Sequence, residues 1–320
     1  MTEAPLVSVI IVNYNGLRFL DKCLTSVLRQ DYPHTEVLFV DNGSVDGSAD
    51  FVRRHFPSVK IVGLGKNLGF AAGNNVGIRA ASGDLIATLN NDTEAMPGWI
   101  SALVRPASDP RVGMCASKML LMSQPGTIDS AGIEISRSGA CWDRGMLEPD
   151  DGRYGSVEEV FGPCAGAALY RRSMLDEIGL FDEDFFAYME DADLAFRGRL
   201  AGWKCVYVPD AVVRHYHGGT AGYQSDFSIY YGNRNIVWLA IKNYPLGLLA
   251  TSAPWIVGRN LATIPFYMLK GHCLAILRSK GDAVLGMPRM WGKRGRWPAK
   301  RHALSLIRTW AAFPGTNKVK

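Results

Sequence analysis

The 320-residue sequence lacks the features that mark a secreted or membrane-spanning protein. Its N-terminus has no basic segment, and its first apolar run, over residues 7–12, is too short for a signal peptide or a membrane span. The six cysteines form no C-x-x-C pair and no zinc-ligand spacing. We therefore expect a cytoplasmic protein with buried free thiols, and neither a disulfide framework nor a zinc site.

Acidic residues are nearly absent from the C-terminal region. Residues 227–320 contain fifteen Lys or Arg and one acid, Asp282, whereas residues 1–226 contain 20 basic and 29 acidic residues. This asymmetry predicts two parts. Residues 1–226 should form a globular domain, and residues 227–320 an apolar, basic, helical region.

The C-terminal region also lacks a long uninterrupted hydrophobic run. Its longest uncharged stretch, residues 243–258, contains two prolines and falls short of the roughly 20 residues of a simple membrane span. Twelve basic residues follow from Lys270 onward, among the tryptophans Trp291, Trp297 and Trp310. We expect a peripheral contact with anionic lipid on the inner face of the cytoplasmic membrane, and no nucleic-acid partner. An ordinary helical subdomain or an oligomer contact is the alternative.

The first ninety residues alternate apolar runs with helical patterns. Strands are predicted at residues 7–14, 36–40, 59–62 and 84–89, with three helices between them. This alternation is typical of an α/β fold with a doubly wound, mostly parallel sheet. Ligands bind beyond the carboxyl ends of such strands. The polar residues expected at that edge are Asn13, Asn15, Asp41, Asn42, Lys66, Asn67, Asn90, Asn91 and Asp92.

The two acids among these polar residues, Asp41 and Asp92, each have a chemical interpretation. Asp41 can accept hydrogen bonds from a ribose hydroxyl or a base N–H, or can simply form a turn. Asp92 can bind a divalent cation that neutralises a diphosphate, while Asn90 or Asn91 binds the sugar or a metal-bound water. One carboxylate alone is a poor magnesium site, so we expect a second ligand in the segment VRHYHGGT, at His215 or His217.

The segment MEDADLAFRGR offers a general base. Asp193 and Arg197 are spaced to pair on a helix surface. Glu190 and Asp191 then remain near the helix start, where an adjacent acid can raise a pKa. We favour Asp191 as the base that deprotonates an attacking hydroxyl, with helix capping as the alternative.

Five segments in this order resemble the family 2 inverting glycosyltransferases of the GT-A fold, and in particular their bacterial rhamnosyltransferase-like members. The segments are SVIIVNYN, EVLFVDNGSVDGS, KNLGFAAGNN, LNND and FFAYMEDADLAFRGRLAGW, and the resemblance covers about residues 7–220. It implies metal and diphosphate binding at Asp92 and His215, and a base at Asp191 beside Glu190. It also implies nucleotide-sugar binding by Asn15, Asp41, Asn67 and Asn74, and we assign Gly69, Asn90 and Asn91 to the same donor site.

The resemblance implies a transferase that uses Mg or Mn and a nucleoside diphosphate sugar, with rhamnose favoured over galactofuranose, galactose or N-acetylhexosamine. The acceptor would be a hydroxyl of a glycan or polyprenyl-linked intermediate in cell-surface polysaccharide synthesis. Asn90 stands where the family often has the first aspartate of a D-x-D motif. An inactive nucleotide-sugar or glycan-binding module is the alternative. A dinucleotide oxidoreductase is less favoured, because no G-x-G-x-x-G follows the first strand.

Overall fold

The computed structural model describes residues 4–217, 225–295, 305, 307 and 308. Its helices are α1 (Leu17–Leu28), α2 (Ser48–His55), α3 (Phe70–Ala80), α4 (Trp99–Val104), α5 (Arg172–Ile178), α6 (Glu190–Ala201), α7 (Asp226–Asn243), α8 (Leu246–Leu269), α9 (Cys273–Leu285) and α10 (Met287–Gly292). Its strands are β1 (Val7–Asn13), β2 (Thr35–Asp41), β3 (Lys60–Gly63), β4 (Leu85–Asn90), β5 (Thr93–Ala95), β6 (Val112–Leu121), β7 (Ile128–Ser130), β8 (Ile133–Ser136), β9 (Cys141–Asp143), β10 (Glu158–Val160), β11 (Ala167–Arg171), β12 (Lys204–His215) and β13 (Ile307–Arg308).

A mixed, mostly parallel sheet organises the protein. Its strand order is β10-β12-β6-β11-β4-β1-β2-β3, with β5 paired to β12 and β7 to β6. The strands β4, β1, β2 and β3 run parallel, while β11 is antiparallel to both of its neighbours. The predicted α/β sheet is therefore confirmed, and the carboxyl ends of the four N-terminal strands share one edge, as predicted.

Apolar residues on both faces of the sheet explain why it is buried. Along β1, Ile10 belongs to one apolar core, whereas Val9 and Ile11 belong to another. Successive side chains of a strand point to opposite faces, so each core covers one side of the sheet. The face of α1 that carries Leu20 and Leu24 packs into the second core.

The chain turns sharply after β4 and returns as β5. Because β5 pairs antiparallel with β12, Thr93 lies opposite His215. The N–H of Tyr216 then donates to the carbonyl of Asp92 at 3.0 Å. This pairing places the end of β12 next to the end of β4.

The helix α7 packs against the same core as α6. Trp238 and Leu239 of α7, and Tyr244 directly after it, are buried in the cluster that contains Phe185 and Phe196. The division of the chain at residue 226 stays a prediction, although α7 completes the core of the preceding domain.

The predicted pairing of Asp193 with Arg197 is present, but its predicted position on the surface is wrong. Asp193 is fully buried, 2.9 Å from the guanidinium of Arg197 and 2.8 Å from the ammonium of Lys242 on α7. Its carboxylate also accepts a hydrogen bond from Asn243. This acid therefore fastens α7 to α6.

Among the described helices, none combines the length and apolar character needed to cross a membrane. Trp297 and Trp310 lie outside the described residues, as do Gly218 to Thr220. All six cysteines are free, but the expectation that all are buried fails at Cys273, which is exposed.

Candidate active site

Asp92 and His215 meet where β4 and β12 end. Nε2 of His215 lies 3.2 Å from Oδ1 of Asp92 and 3.4 Å from Nδ2 of Asn90. Both Asp92 and His215 are buried. The fold thus brings together three residues that the sequence analysis selected from segments far apart in the chain.

Asp129 on β7 contacts the two histidines from the other side. Its Oδ2 lies 2.6 Å from Nδ1 of His215, and its Oδ1 lies 2.8 Å from Nδ1 of His217. A carboxylate on Nδ1 fixes the orientation of an imidazole and leaves Nε2 available. The sequence left His215 and His217 open as alternatives; in the structure, His215 is the one in contact with Asp92.

The electrostatics of this cluster follow from its pairings. Burial would lower the pKa of His215, but hydrogen bonds to Asp129 and Asp92 outweigh it and raise the pKa to about 10. Burial opposes ionisation of Asp129, yet hydrogen bonds from both histidines hold the pKa of that carboxyl well below its usual range. These shifts favour the imidazolium form of His215 and the carboxylate form of Asp129.

The donor set fits a divalent cation. Asp92 supplies a hard carboxylate oxygen and His215 an imidazole nitrogen. Such a mixed set suits Mn²⁺ at least as well as Mg²⁺, which prefers oxygen ligands. Asp129, His215 and His217 form a second candidate metal site, because their potential ligand atoms lie within 4.8 Å of one another.

The carboxyl end of β2 has the features expected for nucleotide binding. Oδ1 of Asp41 is buried and has no hydrogen-bond partner among the described residues. The next residue, Asn42, donates to Oδ1 of Asn67 and to the carbonyl of Gly69, both at 3.1 Å. Gly69 has φ +89°, and a Cβ there would lie 2.6 Å from the carbonyl oxygen of Phe186. These contacts place the KNLG segment beside Asp41.

The remaining predicted asparagines have structural partners. Asn91 donates to Oδ1 of Asn13 at 2.6 Å, and Asn13 donates to Ser44 at 3.0 Å. The backbone N–H of Asn15 donates to the same serine hydroxyl. Asn74 is buried and donates to the carbonyl four residues earlier in α3. The side chains of Asn13, Asn15 and Asn91 thus stabilise the loops at the sheet edge, since Oδ1 of Asn15 also accepts a hydrogen bond from the N–H of Val45 at 2.9 Å, whereas the bond of Asn74 stays within α3.

The two acids at the start of α6 differ in their surroundings. Asp191 is partly exposed and accepts hydrogen bonds from the N–H groups of Ala165 at 3.1 Å and Ala192 at 2.7 Å. Burial raises the pKa of Asp191, while these backbone donors oppose the rise. Glu190 is buried, its Oε2 has no hydrogen-bond partner among the described residues, and burial followed by the charge of Asp191 raises its pKa well above the usual value.

A short segment connects Asp191 to the end of β4. The residue after Ala165, Gly166, accepts a hydrogen bond at its carbonyl from the N–H of Asn90 at 2.8 Å. A Cβ at Gly166 would lie 3.0 Å from Nδ2 of Asn90. The predicted base and the LNND corner are therefore neighbours on one surface.

Asp143 on β9 is a further carboxyl group that the sequence analysis did not select. Its Oδ1 is buried without a hydrogen-bond partner among the described residues. Burial and the negative charge of Asp129 raise its pKa to about 7. Both Asp129 and Asp143 belong to three-residue strands in a region without periodicity, so no sequence signal distinguished them.

The loop before α6 is held by α7. Phe186, Tyr188 and Met189 all have positive φ, which is uncommon for residues with side chains. Asn235 is fully buried and donates to the carbonyls of Phe185, Ala187 and Tyr188 at 2.7–2.9 Å. The C-terminal region thereby fixes the backbone that leads into Asp191.

A comparison with protein families identifies the chain. The model of the family described as "Glycosyl transferase family 2" matches residues 8–179, more than half of the chain. The chain belongs to glycosyl transferase family 2. It is therefore a glycosyltransferase, and the predicted family and enzyme class are confirmed.

Relatives and solved structures agree with this assignment. The chain is 31% identical over 244 residues to an N-acetylglucosaminyl-diphospho-decaprenol L-rhamnosyltransferase of Mycobacterium tuberculosis, covering 67% of this chain and 77% of that protein. It is 31% identical over 220 residues to an N-acetylglucosaminyltransferase of Sinorhizobium fredii, covering 65% of this chain and 52% of the relative.

A mannosyltransferase from Pyrobaculum calidifontis, solved with GDP-Man and Mn²⁺, has a similar fold. Its TM-score is 0.56, its sequence identity is 18%, and the match covers 88% of each chain. The glycosyltransferase described here thus has the predicted GT-A fold.

Proposed function

We propose that this glycosyltransferase transfers rhamnose from a nucleoside diphosphate donor to a hydroxyl of a lipid-linked sugar in polysaccharide biosynthesis. The relative from Mycobacterium tuberculosis supports the sugar and the lipid-linked acceptor through its name. The geometric support is the proximity of a hydrogen-bonded, partly exposed Asp191 to the Asp92–His215 corner through Ala165 and Gly166.

In this proposal, Asp191 is the base. Backbone N–H groups stabilise its anion, whereas burial and the charge of Asp191 favour the neutral form of Glu190, whose Oε2 has no hydrogen-bond partner among the described residues. Asp191 takes the proton of the acceptor hydroxyl as that oxygen attacks the anomeric carbon. The bond from this carbon to the diphosphate oxygen breaks in the same displacement, which inverts the anomeric configuration, and the nucleoside diphosphate leaves.

Asp92 and Nε2 of His215 would hold the cation, and Asp129 would orient His215 from Nδ1. When bound, a divalent cation stabilises the charge that develops on the leaving diphosphate. Asp41 would bind the nucleoside through its unpartnered Oδ1. The other predicted residues, Asn15, Asn67, Gly69, Asn74, Asn90 and Asn91, would shape this donor site.

The proposal includes a peripheral contact with the membrane surface. The helix α9 buries Ile276 and Ala283 but exposes Leu274 (81%) and Leu285 (78%). An exposed apolar face on a basic helical region is typical of interfacial helices. Such a contact would bring the enzyme to a lipid-linked acceptor.

Replacement of Asp191 by Asn tests the role of the base. We expect turnover to fall by about 10²–10⁴ while the dissociation constant of the nucleotide remains within about twofold of the wild type. Transfer is measured from dTDP-rhamnose to a short-chain prenyl diphospho-N-acetylglucosamine. Unchanged turnover would remove Asp191 from the mechanism.

Thermal stabilisation by dTDP, UDP and GDP, each with and without Mn²⁺, tests the donor. A ligand at 100 times its dissociation constant stabilises the folded state by about 2.7 kcal/mol. We expect the largest Mn²⁺-dependent shift with dTDP. A larger shift with UDP or GDP would contradict a dTDP-rhamnose donor while leaving the glycosyltransferase assignment intact.

A further inference from the structure

The C-terminal helices hold two basic side chains that have no acidic partner among the residues that the structure describes. Nη1 of Arg259 on α8 is buried and has no hydrogen-bond partner among the described residues. The ammonium of Lys280 on α9 donates to Oδ1 of Asn260 at 2.7 Å and of Asn233 at 3.2 Å, and both are neutral amides. No Asp or Glu in the described part of the chain acts on the pKa of either cation.

The surrounding sequence offers almost no anion. Asp282 is the single acid between residues 227 and 320. Its carboxylate accepts a hydrogen bond from the hydroxyl of Tyr230 at 2.5 Å and lies 3.8 Å from Arg278. Desolvated charges without acidic partners are costly, so a bound anion would stabilise the charged forms of Arg259 and Lys280.

The pKa values agree with this uncompensated charge. Burial and the nearby charge of Arg259 lower the pKa of Lys280 to about 7, and burial lowers the pKa of Arg259. A bound anion would reverse both effects and keep the two groups charged.

The β8–β9 hairpin lies beside α8. Arg137, which follows β8, lies 5.6 Å from the ring centroid of Trp255, one helical turn before Arg259. Burial raises the pKa of Cys141 on β9. The charge of Asp191 raises this pKa further, whereas the charge of Arg259 lowers it. The β8–β9 hairpin thus connects the surroundings of Asp191 to α8.

An apolar groove of about 490 Å³ runs along α8. Leu249, Ala253 and Ile256 of α8, Ile241 of α7 and Met287 of α10 line it. Helical periodicity places Asn260, which contacts Lys280, one turn beyond Ile256. A ligand that combines a hydrocarbon chain with phosphate would match both features.

We propose that Arg259 and Lys280 bind the phosphate groups of a prenyl-linked acceptor, with the prenyl chain in the groove along α8. This inference rests on the proposed transfer to a lipid-linked sugar. It assigns recognition of the acceptor lipid to the C-terminal helices and leaves donor binding to the sheet edge.

Geranyl diphosphate provides a binding test that requires no turnover. We expect Arg259→Gln and Lys280→Gln each to weaken its binding to the full-length protein at least tenfold by isothermal titration calorimetry. Arg278→Gln is the matched control, because Arg278 lies on the same helix with its side chain exposed. Binding of dTDP should be unchanged in all three variants. Lys280→Met provides a second test with a similar side-chain shape, should Lys280→Gln fail to fold.

Two outcomes would overturn the inference. One is wild-type binding of geranyl diphosphate by both folded variants. The other is loss of binding to phosphatidylglycerol vesicles with retained binding of geranyl diphosphate, since the pair would then recognise bilayer headgroups. A failure of the proposed function would be seen in a different assay. The wild type would then not transfer sugar to the prenyl diphospho-sugar, whatever the result of the geranyl diphosphate binding experiment.

Discussion

Asp129 and Asp92 bind opposite nitrogens of one imidazole: Oδ2 of Asp129 lies 2.6 Å from Nδ1 of His215, and Oδ1 of Asp92 lies 3.2 Å from Nε2. Asp129 therefore belongs to the site although it would not contact the substrate. Its proposed role is to orient His215 and to stabilise the form of the ring that presents Nε2.

Asp129→Asn should weaken Mn²⁺ binding by about 10–100-fold, the usual effect of losing a carboxylate behind a ligating histidine. Calorimetric titration of Mn²⁺ measures this change, and Asp151→Asn on the exposed surface is the control. NMR titration adds a readout specific to orientation and charge, because the pKa of His215 should fall from about 10 in the variant. An unchanged Mn²⁺ affinity would contradict the role of Asp129.

Mn²⁺ binding should release a proton. The pKa of His215 is raised to about 10, so the ring is protonated at neutral pH and must lose that proton to bind a cation. The apparent affinity should therefore rise by up to about tenfold per pH unit between pH 7 and 9. Calorimetry in buffers of different ionisation enthalpy measures the released proton, and His215→Gln should abolish the release. An affinity independent of pH in the wild type would contradict ligation by His215.

Glu190→Gln should retain most of the turnover that Asp191→Asn loses. Burial keeps Glu190 neutral, so a neutral amide changes its charge little. We expect turnover within about tenfold of the wild type, compared with a loss of about 10²–10⁴ for Asp191→Asn. The same transfer assay measures both variants, and the reverse ranking would make Glu190 the base.

Several parts of this architecture follow from local sequence patterns. Apolar runs and helical periodicity identified the four parallel strands, and the strand ends predicted that Asp41 and Asp92 share one edge. Asp129 could not be found in this way, because its position depends on the pairing of β7 with β6 and of β6 with β12. The burial of Asp193 was missed for the same reason, since an i, i+4 pattern describes one helix and contains no information about α7.

Asp193→Asn should destabilise the protein because buried Arg197 loses its paired acid, and Lys242 keeps only its pair with Asp182. The free energy of unfolding should fall by about 3–5 kcal/mol in chemical denaturation, compared with about 0–1 kcal/mol for Asp210→Asn, whose pair with Arg105 is exposed. A loss at Asp193 no larger than that at Asp210 would contradict a stabilising role for the buried pair.

Asp193 also makes the free energy of unfolding depend on pH in the acidic range. Burial opposes its ionisation, but the charges of Lys242 and Arg197 lower the pKa to about 2, below the unfolded value of 3.8. Its contribution is therefore fully present above about pH 4 and disappears as the pH falls through 2. Denaturation between pH 2 and 5 should show a smaller pH dependence for Asp193→Asn than for the wild type.

Leu274 and Leu285 should determine the binding of the enzyme to membranes. Both are exposed on α9, and transfer of a leucine side chain out of water contributes about 1.5–3 kcal/mol when burial is complete. Replacing both by Gln should reduce cosedimentation with phosphatidylglycerol vesicles at least tenfold, and higher salt should weaken the wild-type interaction as well. Val45→Gln with Val157→Gln is the control, since these two valines are also exposed but lie outside residues 227–320. The contrary outcome is a leucine variant that binds vesicles normally but changes from dimer to monomer in sedimentation analysis. The apolar face of α9 would then be an oligomer contact, because a second copy of the chain would cover the exposed leucines.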